Sequence, residues 1–373
     1  MPVRVTWQQA LAWRMRRQLI EPVGTLTVHG VVRRLCGVQT QVASTAELAV
    51  RMRRASSRRG EVSRALADGR LIKTWAMRGT LHLMTPDDAG AYLSLIAAGR
   101  SWEKPSWERY FRMKRQHWDL FREVVREALD GTQLTREELI AVITRRRGLA
   151  HLAGELRSGW GTLFKPLAWQ GELCFGPSRG NRATFMRPEA ASARWVGIPD
   201  PDAAAEKAIV AYFRAYAPAT MLSFHNWLGR GRISRRQYRA WFDAVADRLA
   251  KIEIDGDTQY VLAEDVDEVA RARPTKAVRF LPGFDQYVLG PGTEDTHILP
   301  AKRRRAVSME AGWIAPIVVA GGVVRGVWLL DGDAVGVSWF REGGSAPRSA
   351  LKAEVARLSG ILGRDLELRV ALA

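Results

Sequence analysis

The chain has 373 residues, enough for two to four modules with their own cores, and its 47% hydrophobic and 26% charged residues are typical of a folded protein. Two cysteines and six scattered histidines exclude a disulfide framework and a cysteine-rich metal site, so we expect no metal and no other cofactor. No stretch approaches 18 apolar residues and no signal peptide is visible, which predicts a cytoplasmic protein with no membrane partner.

The net charge of +18 is the unusual property of this composition, and it favours nucleic acid or an anionic surface as the partner. The first 60 residues hold eleven arginines, no lysine and two acids, which is half of that charge in a sixth of the chain. Arginine outnumbers lysine 48 to nine, either because guanidinium groups form forked phosphate contacts or because the genome is GC-rich. Codon usage does not explain the excess of bases over acids.

Two glutamines lie in a short connector between predicted helices. A helical pattern ends at Gly37, and a capping box that starts at Ser44 predicts that the next helix begins there. Gln39 and Gln41 therefore fall on an extended segment, where side chains two residues apart point the same way. Both amides could then order a water at one site. Without context, the pair is equally consistent with polar loop residues that cap nearby helix ends.

A helical pattern followed by a short strand pair occurs three times. Each pair is joined by residues that accept positive φ, namely Gly79, the loop 176–181 and Asp255-Gly256-Asp257. Helices followed by a small hairpin are typical of winged-helix units. The predicted strand pairs are 71–76 with 80–84, 172–175 with 183–186, and 251–254 with 259–262.

The last of these helices combines an apolar stripe with a basic face. A capping box predicts that it begins after Ser234, as another box predicts a helix after Thr135. Arg235, Arg236 and Arg239 occupy the other side, which is the layout of a groove-binding helix and also of an ordinary solvated face. The apolar stripe consists of Tyr238, Trp241, Phe242, Val245 and Leu249.

After residue 273 the pattern changes to strands. The apolar runs 317–320 and 323–330 flank Gly321-Gly322, a third run covers 334–340, and one helix over 350–358 closes the segment. We therefore predict an α+β fold of about three tandem winged-helix units followed by a C-terminal antiparallel β domain. The predicted boundaries are 1–100, 101–198, 199–273 and 274–373.

Five segments in this order resemble the winged-helix DNA glycosylase family typified by AlkZ. The resemblance covers almost the whole chain, and Gln39 and Gln41 match the Gln-x-Gln signature of the family. Thr40 departs from the pattern, since relatives often carry an aliphatic residue there. The five segments are the helix over 7–19, Gly37-Val38-Gln39-Thr40-Gln41, residues 73–83, Leu281-Pro282-Gly283-Phe284-Asp285-Gln286-Tyr287, and Gly312-Trp313-Ile314-Ala315-Pro316.

The resemblance implies a concave DNA-binding surface and removal of bulky or cross-linking alkyl adducts from purine nitrogens, chiefly N7 of guanine. It makes Gln39 and Gln41 the catalytic residues of a nucleoid-associated monomer that acts on double-stranded DNA. A sister group has Asp in place of the second Gln, so Gln41 predicts selectivity for cationic adducts. A Schiff-base mechanism needs a desolvated lysine. Lys73 is the one lysine in the first hundred residues, and the family often has Arg at that position. We therefore expect a monofunctional glycosylase.

The resemblance also implies residues that contact DNA. In the family a β-hairpin that carries His and Pro probes the DNA, and His297 and Pro300 match it loosely. Arg78 and His82 bracket the first predicted hairpin, where His82 is either structural or phosphate-facing. Asp285 is the carboxylate of interest in the Phe-Asp-x-Tyr motif, unless it merely caps a turn. The other predicted contacts, each of which could instead be a solvated residue, are Arg179, Arg182, Lys302, Arg303, Arg304 and Arg305.

Two functions without catalysis stay open from the sequence. A winged-helix transcription regulator would bind DNA without chemistry, although regulators usually dimerise and this chain carries its repeats internally. A sequestering protein would bind the adduct or the drug without cleaving a bond. For a glycosylase, a plausible setting is self-resistance in a producer of a DNA-alkylating natural product.

Overall fold

The structure is a computed structural model that describes residues 4–373. They form two compact units whose segments alternate along the chain. Unit 1 comprises the described part of Met1–Val62 together with Ile209–Trp227 and Phe242–Ala373, and unit 2 comprises Ser63–Ala208 and Leu228–Trp241. The division into four domains in chain order stays a prediction.

Helices and strands alternate along the chain, which confirms the predicted α+β class. The helices are α1 (Trp7–Arg17), α2 (Val28–Arg34), α3 (Ala43–Arg51), α4 (Glu61–Ala67), α5 (Pro86–Ala97), α6 (Pro105–Phe111), α7 (Arg115–Ala128), α8 (Arg136–Arg145), α9 (Ala153–Arg157), α10 (Phe164–Trp169), α11 (Pro188–Ala191), α12 (Pro201–Tyr216), α13 (Met221–Gly229), α14 (Arg235–Ala244), α15 (Val266–Ala270), α16 (Gln286–Leu289), α17 (Arg304–Val307) and α18 (Arg348–Leu362). The strands are β1 (Arg4–Val5), β2 (Val38–Gln39), β3 (Ile72–Trp75), β4 (Leu81–Met84), β5 (Leu134–Thr135), β6 (Cys174–Arg179), β7 (Arg182–Met186), β8 (Leu249–Ile254), β9 (Asp257–Leu262), β10 (Val278–Leu281), β11 (Ile317–Ala320), β12 (Val323–Asp331), β13 (Ala334–Trp339) and β14 (Glu367–Leu372).

All three predicted strand pairs are present as antiparallel hairpins: β3 with β4, β6 with β7, and β8 with β9. Their turns hold Gly79, Gly180 and Gly256 at positive φ, as the sequence predicts. Unit 2 contributes the neighbouring strands β4-β3-β6-β7-β5 to one sheet, and unit 1 contains the small sheet β1-β8-β9. The number of winged-helix units stays a prediction.

The C-terminal sheet has the order β10-β11-β12-β13-β14. Its first four strands pair antiparallel, as predicted, with Gly321 and Gly322 at positive φ in the β11–β12 turn. The prediction of a wholly antiparallel domain is wrong, because β14 lies parallel to β13. Parallel neighbours need a long crossover, and α18 supplies it instead of closing the domain.

Apolar residues cover both faces of this sheet within unit 1. Leu281 and Val319 pack in a core cluster with Leu11 and Met15 of α1. The residues that alternate with these along the strands point to the other face of the sheet and lie in a second core cluster. This cluster includes Phe280, Val318, Val335, Leu351, Val355 and Leu358. The two-residue alternation of β10 and β11 therefore sends successive side chains into two different cores.

The predicted helix starts are only partly correct. Thr135 caps α8 in a reciprocal capping box with Glu138. The box predicted at Ser44 is wrong: α3 begins one residue earlier, its N-cap Val42 has no capping side chain, and the Glu47 carboxylate accepts from the Gly60 N–H instead. Ser44 therefore lies inside the first turn.

The helix predicted after Ser234 is α14, and it ends earlier than the stripe implied. Trp241, Phe242 and Val245 are buried, but Leu249 already belongs to β8. The basic side of α14 is exposed: Arg235, Arg236 and Arg239. Within residues 4–373, the helices are too short or too polar to cross a membrane.

Candidate active site

The connector between α2 and α3 positions the two predicted catalytic glutamines. Two residues in left-handed conformations end α2, Cys36 with φ 55° and Gly37 with φ 109°. The Gly37 N–H donates to Val32 O at 2.9 Å, which closes the helix. The chain then runs through β2, which contains Gln39, to the extended N-cap Val42 of α3. The segment is extended at Val38–Gln39 and again at Val42, as predicted, whereas Gln41 lies in a bend.

The two glutamines differ in solvent access. Gln39 is 5% exposed, whereas Gln41 is exposed. Between them Thr40 is 3% exposed, a burial that would also suit the aliphatic residue that relatives often carry there. A buried amide needs polar partners, whereas solvent reaches an exposed one. That both amides act at one site stays a prediction.

A buried tyrosine holds the turn that precedes the connector. The Tyr216 hydroxyl donates to Leu35 O and lies 3.5 Å from Gln286 Oε1. Gly290 permits this arrangement, because a Cβ at that position would lie 2.2 Å from atoms of the Tyr216 ring. Leu35 and Tyr216 are 181 residues apart, so no local sequence signal marks this contact.

A buried ion pair anchors the Phe-Asp-x-Tyr motif beneath α3. Arg53 donates to both carboxylate oxygens of Asp285 at 2.7 and 2.8 Å, and both side chains are completely buried. Arg53 also donates to Ala49 O and Gln18 O, at 2.9 and 3.0 Å. The Tyr287 N–H donates to Asp285 at 2.8 Å. Asp285 is therefore the N-cap of α16 as well as the partner of an arginine that the sequence analysis missed.

Three arginines of unit 1 lie close together beside the end of α2. Arg34 donates to Arg17 O at 3.2 Å, and Arg17 donates to Arg214 O at 2.9 Å. Burial, and then the charges of Arg17 and Arg214, lower the pKa of Arg34 below its ordinary value. Acidic neighbours offset part of this charge, since Asp265 lies 3.6 Å from Arg17 and Glu264 lies 2.8 Å from Arg214. Two of the eleven arginines of the first 60 residues, Arg17 and Arg34, thus lie in this group.

The structure distinguishes Arg78 from His82 in unit 2. His82 lies on β4, is completely buried, and its Nδ1 lies 3.0 Å from Thr80 O. Burial, reinforced by the charge of Arg78, lowers the pKa of His82 to about 3. A buried neutral imidazole cannot pair with a phosphate, so of the two predicted roles the structural one fits His82. Arg78 is partly exposed at a left-handed turn, with φ 58°.

Comparisons with known proteins identify the family. The family model described as DNA glycosylase AlkZ-like matches residues 32–361. The chain belongs to this family. It is therefore a DNA glycosylase. Its sequence is 45% identical over 363 residues to an interstrand DNA cross-link repair glycosylase of Streptomyces sahachiroi, covering 96% of this chain and 98% of that protein. The solved structure of Streptomyces sahachiroi DNA glycosylase AlkZ is 44% identical, with a TM-score of 0.95 over 99% of this chain and 100% of that one.

The β6–β7 hairpin of this AlkZ-like glycosylase, the predicted wing, carries Arg179 and Arg182 opposite each other. Arg179 is already engaged, because it donates to Glu138 at 3.0 and 3.1 Å and also to Gln133 O. Arg182 is exposed, and the described residues supply it with no ion pair. The two arginines are therefore not equivalent candidates for a DNA contact.

His297 of the glycosylase does not lie on a β-hairpin, which corrects the sequence prediction. The segment from 290 to 300 forms turns, and a short 3-10 turn, Ala301–Arg303, follows Pro300. The imidazole stacks on Trp7 with ring centroids 3.6 Å apart. Its Nδ1 lies 3.0 Å from Asp295 and its Nε2 lies 3.1 Å from Asp257. The hydrogen bond to Asp295 raises the pKa of His297, although burial opposes the shift.

The contacts of His297 with Asp295 and Asp257 predict that the stability of the fold depends on pH. Because the pKa is raised in the folded state, protonated His297 stabilises the fold. This stabilisation is complete below the unfolded pKa of about 6.5. This contribution is lost as the pH rises through the folded pKa. We expect His297→Gln to lower the melting temperature more at pH 6 than at pH 9, measured by circular dichroism. An equal decrease at both pH values would contradict this role of the imidazolium.

The basic run after Pro300 is largely paired within the glycosylase. Lys302 and Arg303 converge on Glu342, at 2.5 and 2.8 Å, and these hydrogen bonds lower the pKa of Glu342 to about 2. Arg304 lies 3.0 Å from Glu294. Arg305 is exposed. To contact a phosphate, as predicted, Lys302, Arg303 or Arg304 would therefore have to leave its carboxylate partner or share it with the phosphate.

Neither a cluster of metal-binding side chains nor an exposed thiol is found among the described residues. Within the described chain, no group of three or more His, Cys, Asp or Glu side chains is arranged to hold a metal ion. Cys36 and Cys174 are buried thiols and form no disulfide, as the cysteine count predicts. Burial raises the pKa of Cys174 to about 12, so this thiol is not nucleophilic near neutral pH.

Proposed function

We propose that this glycosylase is monofunctional, acts as a monomer, and removes cationic N7-alkylguanine adducts from double-stranded DNA. The Gln39-Thr40-Gln41 connector carries the proposal, because it matches the signature of the family and follows the turn that closes α2. The surrounding support consists of the Tyr216 contact to Leu35 and the buried pair of Arg53 and Asp285. The Tyr216 contact holds the turn before the connector, and Arg53 links Ala49 of α3, the helix after it, to Asp285.

The chemistry explains why two neutral amides suffice. Alkylation at N7 gives guanine a positive charge, so the base leaves readily when its glycosidic bond breaks. The reaction then needs a placed water and stabilisation of an oxocarbenium-like sugar more than it needs a strong base. A glutamine amide supplies an acceptor oxygen and two N–H donors. Gln39 and Gln41 would orient the water and the deoxyribose, and an uncharged base would be a poor substrate.

The substrate range includes cross-linked DNA in our proposal. The Streptomyces sahachiroi relative is named for repair of interstrand cross-links, and a cross-link through two guanine N7 atoms consists of two cationic adducts. Cleavage of one glycosidic bond would unhook the strands. In a cytoplasm exposed to a DNA-alkylating natural product, this activity would provide repair or self-resistance.

Release of the base tests the proposal directly. The protein is incubated with duplex DNA that contains a defined N7-alkylguanine, and the free base and the abasic site are measured. We expect both products from cationic adducts and much less from an uncharged lesion. Binding without release from several such adducts would instead support a regulator or a sequestering protein.

Lys73 offers a separate test of the monofunctional mechanism. Burial lowers the pKa of Lys73, and its ammonium lies 5.2 Å from the centre of the Phe175 ring. A desolvated lysine is what a Schiff-base mechanism requires. We nevertheless expect no covalent complex when borohydride is added during excision, because the proposed water attacks the sugar directly. A trapped complex that disappears in Lys73→Gln would reject the monofunctional mechanism.

The wing predicts different effects for its two arginines. Arg182→Gln should weaken DNA binding and reduce the slope of log K against log salt by about one, because a phosphate contact is lost. Arg179→Gln should have a smaller effect, since Glu138 already pairs with that guanidinium. Fluorescence anisotropy with duplex DNA at several salt concentrations measures both, with the exposed Arg157→Gln as the control. Equal slopes for the Arg182 and Arg157 variants would exclude the wing contact.

A further inference from the structure

Unit 2 contains a cavity that the proposed chemistry does not use. It encloses about 450 Å³, which falls within the roughly 300–1,000 Å³ of small-molecule sites. Its wall is formed by α6, the chain just before it, α10 and the segment that precedes α14. The cationic residues of this wall are Lys104, Lys165 and Arg232. Its large aromatic residues include Trp107, Tyr110 and Trp169.

The wall combines positive charge with hydrogen-bond donors and lacks acids. Ten of the described residues line the cavity. They include two serines and a threonine but no residue with a carboxylate. Burial, and then the charge of Arg232, lower the pKa of Lys165. An anion in the cavity would oppose this shift of the Lys165 pKa, because it would pair with both cations in a wall whose described residues include no acid.

Three buried donors of the wall lack acceptors. The indole N–H groups of Trp107 and Trp169 and one Nη of Arg232 are each buried without a partner among the described residues. Trp169 itself is 2% exposed, and the Arg232 guanidinium lies 5.1 Å from the centre of its ring. Buried donors are almost always paired in native proteins, so a polar occupant with acceptor atoms fits this cavity.

We propose that this cavity binds a single unpaired nucleotide, with its base against the aromatic side chains and its phosphate on Lys165 and Arg232. Aromatic faces accept any base by stacking, while arginine and lysine bind the phosphate. Tyr110 is 70% exposed and gives the cavity an aromatic edge that faces solvent. The nucleotide belongs either to a DNA strand or to the free mononucleotide pool. This inference goes beyond base excision, since it concerns a nucleotide that carries no lesion.

Binding of unmodified nucleotides tests the cavity separately from excision. The full chain is titrated with deoxyadenosine 5′-monophosphate and with deoxyadenosine by calorimetry. It is also titrated with a duplex that has one unpaired adenosine and with the fully paired duplex, by fluorescence anisotropy. We expect the monophosphate to bind more tightly than the nucleoside, and the bulged duplex more tightly than the paired one.

Variants of the wall assign these preferences to the cavity. Trp107→Ala should weaken binding of the bulged duplex about tenfold through the lost stacking, and should barely change the paired duplex. Lys165→Gln should reduce the salt slope by about one on the bulged duplex. The controls are Trp160→Ala, whose side chain is 69% exposed, and Arg147→Gln, which is also exposed; neither lines the cavity.

The two sources of the nucleotide give different results. Weaker binding of both the monophosphate and the bulged duplex in the wall variants indicates a general nucleotide site, and weaker binding of the bulged duplex alone indicates a DNA strand. If Trp107→Ala and Lys165→Gln both bind every ligand as the controls do, the proposal is wrong. Circular dichroism melting shows whether each variant is folded. A failure of excision assays would leave this result unaffected, because no adduct is present.

Discussion

Excision of an N7-alkylguanine from duplex DNA is expected to fall by about a hundred- to a thousandfold when Gln39 or Gln41 is replaced by alanine. This magnitude is typical for the loss of one preorganised dipole that acts on the transition state. The Gln39→Ala and Gln41→Ala variants should still bind duplex DNA, because an amide contributes no charge to phosphate binding. Single-turnover release of the base measures the chemical step, and anisotropy measures the affinity.

A glutamine outside the connector provides the control for this loss. Gln8 lies on α1 in the same unit and is exposed, so Gln8→Ala should excise at the normal rate. Full activity of both connector variants would reject the proposed catalytic role. Gln41→Asp adds a test of selectivity: a carboxylate can act as a stronger base, so this variant should gain activity on uncharged lesions relative to cationic ones.

Much of the fold follows from short-range patterns in the sequence. The three hairpins and the strands β11 to β13 lie where apolar alternation and turn residues place them, because their pairing partners are adjacent in the chain. β14 was missed because its parallel neighbour β13 is reached only across α18. The capping box at Ser44 failed for a related reason, since Glu47 bonds to Gly60 in the tertiary structure rather than to its own helix start.

The candidate site was predictable only in its local part. The connector follows from Gly37 and the flanking helical patterns, and the two glutamines follow from the family signature. The contacts that support it are long-range, since Arg53 and Asp285 are 232 residues apart. Arg53 also has other arginines beside it in the chain, so no local pattern marks it as the partner of Asp285. His297 was placed on a hairpin by resemblance alone, but Trp7 and two aspartates hold it in a turn.

Replacement of Arg53 by alanine is expected to destabilise unit 1 by about 3–5 kcal/mol, the largest stability effect that we predict. The pair is completely buried, and removal of one partner leaves the other charge uncompensated in a medium that solvates it poorly. The loss also leaves Ala49 O and Gln18 O without their guanidinium donors. Urea denaturation followed by tryptophan fluorescence measures the decrease in the free energy of unfolding.

An exposed pair shows what burial contributes to this effect. Arg70 lies 2.7 Å from Asp68, and both side chains are about half exposed, so Arg70→Ala should cost less than about 1 kcal/mol. In a double-mutant cycle, Arg53→Met with Asp285→Asn should cost less than the sum of the two single variants, because neither unpaired charge remains. Strict additivity, or an Arg53→Ala effect no larger than that of Arg70→Ala, would contradict the ion pair as the anchor of the motif. Any residual cost of the double variant measures what is lost besides the ion pair, chiefly the Arg53 hydrogen bonds to Ala49 O and Gln18 O.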